Sequence, residues 1–186
     1  MINAMPISVL KKLTVAIAVT TLTACASIRP VQDANDPVGF NMNGRFGIQY
    51  IEDGKDKSNT GKIEWQETRQ ATDITLATPL GNAMANLHIT RNEAVLKTAD
   101  GDMYVEKTPE ELLARLLGYE LPISLIKEAL GRAGKPAPDQ IGNNEWQLSV
   151  VSRFDNGTPK KLIAERLKPS PLTMTVFIDE RSDAME

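Results

Sequence analysis

Asn43-Gly44-Arg45-Phe46-Gly47-Ile48-Gln49-Tyr50 is the stretch that decides the fold. Phe46, Ile48 and Tyr50 fall at every second position, with Arg45, Gly47 and Gln49 between them. Successive side chains of a strand point to opposite faces, so the spacing predicts a strand with one apolar and one polar face. The same period recurs downstream. Ile63 and Trp65 alternate with Lys62, Glu64 and Gln66, Ile74 and Leu76 with Asp73 and Thr75, and Leu87 and Ile89 with His88 and Thr90. Asp53-Gly54 opens a polar connection, and Arg91-Asn92 reads as a turn. Val95–Thr98 and Met103–Val105 are joined through Asp100-Gly101, a hairpin pair. Links this short imply an antiparallel meander.

The period then changes. Thr108-Pro109-Glu110-Glu111 is a helix start: threonine caps, proline fits the first helical position, and Glu111 completes a capping box. Leu112, Leu113, Leu116 and Leu117 share one face, and Gly118 suits the stop. A second helix is predicted from about Pro122 to Leu130, closed by Gly131, and Gly134–Pro138 reads as a loop. Alternation returns at Trp146, Leu148 and Val150, with Asn156-Gly157 as a turn. Lys161–Leu167 and Leu172–Ile178 are the last expected strands, separated by Pro169 and Pro171. The final tail, with its Asp, Glu and Ser residues, is expected to be disordered.

The fold class is therefore mainly β: one antiparallel sheet interrupted by a helical pair. A sheet with one apolar face must cover it, and the leucine-rich helices are the available cover. Helices that fill that face make an ordinary core. Helices that cover it loosely leave a cavity for an apolar ligand. The pattern leaves both open for Phe46, Ile48, Tyr50, Ile63, Trp65, Ile74, Leu76, Leu112, Leu116 and Leu117.

The N-terminus carries a different message. Lys11 and Lys12 precede an apolar run, Leu13 to Leu22, followed by Thr23-Ala24-Cys25. This is the basic, apolar and small-residue order of a secretory signal, cleaved between Ala24 and Cys25. The run is too short to cross a bilayer, which takes about 20 apolar residues. Leu22-Thr23-Ala24-Cys25 also resembles the bacterial lipobox, which implies that Cys25 is acylated and becomes the first mature residue. Ala26, where an aspartate would signal inner-membrane retention, resembles an outer-membrane address. Residues 25–39, with Pro30, Pro37 and Gly39, read as a flexible tether, and 40–186 as one domain.

Composition narrows the function. Removal of residues 1–24 leaves 19 basic against 24 acidic side chains, a charge of −5, which argues against nucleic acid as a partner. The single cysteine leaves no internal disulfide and no cysteine–histidine metal cluster. The single histidine, His88, sits among polar neighbours in a predicted strand, where a catalytic triad is the less economical reading. No glycine-rich phosphate loop is present. Glu52, Asp53 and Asp56 read as a solvated acidic turn. No catalytic residue, metal or cofactor is expected.

Taken in order, the lipobox, Asn43-Gly44-Arg45-Phe46, the strand ending at Trp65, Thr78-Pro79-Leu80-Gly81, Thr108-Pro109-Glu110-Glu111-Leu112, Leu117-Gly118 with Leu121-Pro122, and Gly142 to Trp146 resemble the LolB family. Members are outer-membrane lipoproteins that receive other lipoproteins from the periplasmic carrier LolA. The resemblance, over about Gly44 to Leu167, implies an unclosed, curved β-barrel with helices over its concave apolar face, where acyl chains are held. It implies an exposed leucine that delivers cargo into the membrane, at Leu80 between Pro79 and Gly81. It implies LolA, lipoprotein cargo and outer-membrane lipid as partners of a periplasm-facing monomer. The chain departs from the family at Glu128, where a tryptophan is common, and at Asp179-Glu180-Arg181-Ser182, where an apolar C-terminus is usual. The alternative is an anchored, non-catalytic β-domain that scaffolds an envelope complex.

Overall fold

Strands β1 (Phe40–Glu52) and β2 (Lys55–Glu67), thirteen residues each, form the hairpin on which the sheet is built. The turn between them is Asp53-Gly54, with φ of 51° and 70°. Positive φ at both central residues is the turn whose twist matches a hairpin. The computed structural model describes residues 39–118, 120–131, 137–168 and 170–183. Ala24, Cys25 and the expected tether as far as Val38 lie outside the described residues, as does most of the predicted Gly134–Pro138 loop.

From β2 the chain meanders outward through β3 (Thr72–Ala77), β4 (Ala83–Ile89), β5 (Ala94–Thr98) and β6 (Met103–Glu106). Helices α1 (Pro109–Leu117) and α2 (Ile123–Leu130) follow. The chain then returns through β7 (Gln140–Gly142), β8 (Trp146–Arg153), β9 (Pro159–Arg166) and β10 (Leu172–Asp183). All ten strands make one antiparallel sheet in the order β6-β5-β4-β3-β2-β1-β10-β9-β8-β7. Strands β6 and β7 are its two edges and do not pair, so the barrel is not closed. The two helices are the chain between those edges.

Thr108 caps α1 as its sequence requires, accepting a hydrogen bond from the Glu111 amide at 3.2 Å, and Gly118 ends the helix in the left-handed region. Helix α1 packs on β5 and β6, and α2 packs on β7, β8 and β9. One apolar core joins both helices to the inward residues of the sheet. In β1 these are Phe40, Met42, Phe46 and Ile48, and in β10 Leu172, Met174, Val176 and Ile178.

Three differences from the sequence expectation have physical causes. The polar connection after Asp53-Gly54 is strand: Lys55–Thr60 pairs with β1 although both of its faces are exposed, so no apolar alternation marks it. Strand β7 is only three residues long and was not predicted. The C-terminal tail is strand as far as Asp183, and residues 184–186 lie outside the described residues. Strand β10 continues to Asp183, pairing Glu180–Asp183 with Asn43–Phe40 beyond a bulge at Asn43/Gly44. Gly44 permits this close crossing, since a Cβ there would lie 2.2 Å from the Phe177 carbonyl oxygen.

Candidate functional site

The covered face gathers most of the sequence candidates. Phe46, Ile48, Ile63, Trp65, Ile74 and Leu112 are buried together, with Tyr50, Leu76 and Leu116 half-buried against them. Leu117 is not among them: it is 45% exposed. Gly61 makes room for one of the candidates. A Cβ on Gly61 would sit 2.7 Å from the Phe46 ring, so the ring occupies space that only a glycine leaves free.

Under α2 this face holds a polar cluster that sequence reasoning missed. The Glu67 carboxylate is buried, and Lys127 of α2 reaches it at 2.5 Å. Thr72 donates its hydroxyl proton to Glu67 at 2.7 Å, Trp65 Nε1 donates at 3.3 Å, and Lys127 also donates to Thr72 Oγ1 at 2.9 Å. Every member has a partner, the condition under which buried polar groups are tolerated. A signal was present. Glu67 is in phase with Ile63 and Trp65, Thr72 with Ile74, and Lys127 follows Ile123 by four residues.

A second fastening lies at the other end of α2. The Arg181 side chain is 2% exposed and donates to the Leu130 carbonyl at 2.5 Å, closing the helix C-terminus. It also pairs with Asp183 at 2.8 Å and lies over the Phe40 ring. Glu128, where the family commonly has tryptophan, is exposed. Arg45 is on the opposite, exposed face of the sheet. It makes a two-pronged contact with Asp179, closest at 2.7 Å. That contact holds the Asp179 carboxyl below the usual carboxylate range, and the Arg45 guanidinium above its ordinary value.

The loop between β3 and β4 presents Leu80, which is 90% exposed. Its backbone is closed on itself: the Thr78 amide donates to the Asn82 carbonyl, Gly81 to Thr78, and Asn82 to the Thr78 hydroxyl. Gly81 has φ of 94°, a conformation that glycine adopts without penalty. An apolar side chain on so constrained a loop is displayed. The register also fixes which end of the sheet it occupies. Ala77 pairs with Lys62, while Phe40 pairs with Glu67, so Leu80 and the chain's arrival at β1 are at opposite strand ends.

His88 lies on the exposed face, 2.6 Å from Asp73. Among the described residues no group of three or more His, Cys, Asp or Glu side chains could hold a metal.

These features define a class: an open antiparallel barrel, lidded by two helices, with one apolar side chain displayed beyond its rim. Residues 39–165 match the family model of the outer membrane lipoprotein LolB. The chain belongs to that family, and with it to the lipoproteins of the outer membrane. It is 28% identical over 182 residues to the outer-membrane lipoprotein LolB of Cupriavidus metallidurans, covering 85% of this chain and 89% of that one. The LolB of Bordetella petrii is 29% identical over 162 residues, covering 80% and 81%. That of Shewanella loihica is 32% identical over 155 residues, covering 80% and 65%. A crystal structure of a LolA superfamily protein from Nitrosomonas europaea aligns with a TM-score of 0.46 at 6% identity, over 78% of this chain and 86% of that one.

Proposed function

We propose that this chain accepts lipoproteins from the periplasmic carrier LolA and places them in the outer membrane. The observation that carries the reading is Leu80, displayed on a braced loop of a lidded apolar sheet in a LolB-family chain. Cargo acyl chains would displace the helical cover from the apolar face and bind there. Burial at about 25 cal/mol per Å² supplies ample affinity, and direction follows from the difference between successive sites. No nucleotide is needed where each step is downhill.

Leu80 would then enter the bilayer surface and open a path for the chains. Cys25 would carry the lipid anchor. The segment from Cys25 to Gly39 spans at most about 50 Å when extended. The sheet separates the Gly39 end from the Leu80 end by roughly 20 Å. An anchored domain can therefore turn Leu80 toward its own membrane.

The direct test is transfer of a labelled lipoprotein from loaded LolA to the purified domain without ATP. A competent carrier that passes nothing to this domain removes the reading. A Cys25→Ala form is expected to accept cargo normally, because the apolar face and not the anchor does the binding.

A further inference from the structure

Four residues form one row across the outer face of the sheet. Lys62 of β2 is opposite Arg45 of β1, Arg45 is opposite Phe177 of β10, and Phe177 is opposite Lys161 of β9. Arg45 and Lys161 flank the Phe177 ring, 5.7 and 5.1 Å from its centroid, and Phe177 is 39% exposed. Like charges placed directly opposite each other, as Lys62 and Arg45 are, repel. Asp179 answers Arg45. Glu64 shares the face with Lys62, yet among the described residues no carboxylate pairs with Lys62 or Lys161. Three cations thus meet one carboxylate, in a chain whose charge without its signal is −5. Two unanswered ammonium groups beside an exposed ring make a local surface for anions.

The row begins at the foot of the Leu80 loop. Lys62 pairs with Ala77, the last residue of β3, and a Cβ on Gly81 would lie 3.8 Å from the Lys62 ammonium. From that level β2 extends through Lys55–Gly61, roughly 23 Å, toward the Asp53-Gly54 turn. Leu80 lies three residues past Ala77 and reaches at most about 10 Å. An end-on approach would therefore bring the hairpin tip to a bilayer ahead of Leu80. We infer that the domain docks broadside, with the Lys62–Arg45–Phe177–Lys161 row on the phosphate layer of an anionic phospholipid bilayer and Leu80 entering beside it. The ligand is the phosphodiester headgroup, which the two lysines meet as point charges. Phe177 sits at the boundary of headgroup and acyl chain, where apolar side chains of surface-bound proteins lie. The inference rests on the delivery step proposed for Leu80 and adds to it a headgroup site and an orientation.

The test is sedimentation of the Cys25→Ala domain with vesicles of phosphatidylcholine, alone or mixed with phosphatidylglycerol. The domain is expected to prefer the anionic vesicles at low salt and to lose that preference in 1 M salt, where the screening length is about 3 Å. Lys62→Gln with Lys161→Gln should weaken binding to the anionic vesicles by about fivefold per lysine and leave binding to phosphatidylcholine unchanged. Arg91→Gln with Lys107→Gln removes the same charge from exposed positions at the other end of the sheet, and should cost less than twofold. An equal loss in that control pair overturns the inference, as does a domain with no preference for anionic vesicles. So does a Lys62, Lys161 variant that binds vesicles normally but takes cargo slowly from loaded LolA, which would make the row a protein-docking surface. Orientation is read with an environment-sensitive fluorophore on a single introduced cysteine, Phe177→Cys or Asp53→Cys. Vesicles should shift the emission at residue 177 to the blue more than at residue 53, and the reverse order overturns broadside docking. The vesicle measurements need no cargo, so a domain that takes nothing from LolA removes the transport reading without touching the headgroup site.

Discussion

The Arg181 guanidinium lies 4.2 Å from the centroid of the Phe40 ring, so the last strand of the chain is bolted to the first through a buried cation. Phe40 is 1% exposed and begins β1, while Arg181 closes the C-terminal end of α2 through the Leu130 carbonyl. One side chain thus holds together the two ends of the folded domain and one lid helix.

Arg181→Ala removes the stacking, the carbonyl cap and the partner of Asp183 in a single step. Hydrogen bonds of charged groups each contribute about 1.5–3 kcal/mol, and lost packing adds to that. Urea unfolding is expected to show a loss of about 2–4 kcal/mol with an unchanged slope. Arg181→Lys keeps the charge but not the planar stack, and should fall between the two. A loss within about 0.5 kcal/mol, typical of surface substitutions, would show that Arg181 is a bystander.

Lys127→Met leaves the buried Glu67 carboxylate with only Trp65 and Thr72 as donors. Breaking a buried pair from one side costs about 3–5 kcal/mol, and the 37% exposure of the Lys127 side chain places this one at the low end. Removing both charges, with Glu67→Leu added, should restore part of the loss, because neither charge is then stranded. Additive losses in that double-mutant cycle would mean that the two groups do not act as a pair.

The meander, both helices and the turn between β3 and β4 were legible because each depends on local signals: period two, a Thr-Pro-x-Glu cap, a proline and glycine flanking one leucine. That Leu80 points outward came from the family resemblance, since the flanking residues alone allow a leucine folded onto the core. Arg181 was illegible for a definite reason. Ile178 and Arg181 both point inward although they are three positions apart, and only the bulge opposite Gly44 allows that change of parity. A bulge is set by the partner strand and leaves no period in its own sequence. Lys127, Glu67 and Thr72 sit at inward-facing positions, but each alone reads as an interruption of an apolar stripe. Their meaning appears only when the Lys127 side chain of α2 reaches the facing ends of β2 and β3. Leu117 differs the other way: helical phase places it on the apolar face, yet its side chain is exposed.

Gly61→Ala tests the closeness of the sheet over Phe46. The added methyl would meet the Phe46 ring at 2.7 Å and the Ala77 carbonyl oxygen at 2.5 Å. Overpacking of this kind costs about 1–3 kcal/mol. Adding Phe46→Leu relieves the ring contact but not the carbonyl one, so rescue in thermal unfolding should be partial. Full rescue would assign the whole effect to the ring.

Asp179 gives the outer face a small acid sensitivity. Its folded pKa is lowered by the hydrogen bonds and charge of Arg45. A lowered carboxyl pKa stabilises the fold above the unfolded-state value, about 3.9 for aspartate, and the contribution is lost as pH falls through the folded value. Asp179→Asn should therefore lower stability by a small, constant amount from neutral pH down to about 5, and match the parent only below the aspartate range. The contact is exposed, so salt should shrink the difference. A difference that appears or vanishes between pH 6 and 8 would point to another group.

Leu80 separates folding from function most cleanly. At 90% exposure its side chain contributes little to the fold, so Leu80→Ala and Leu80→Glu should unfold within about 0.5 kcal/mol of the parent. Transfer of one leucine side chain from water into an apolar phase is worth about 1.5–3 kcal/mol. Loss of it should weaken partitioning of the Cys25→Ala domain onto phospholipid vesicles roughly tenfold or more, at 1.4 kcal/mol per factor of ten. Glutamate adds the cost of desolvating a charge and should be worse than alanine. Cargo acceptance from LolA should persist in both variants, because the apolar face is untouched, while release from the domain into vesicles stalls and loaded domain accumulates. Accumulation of loaded carrier instead would put Leu80 on the receiving step and not on delivery. Unchanged release by Leu80→Glu would remove the loop from the mechanism altogether.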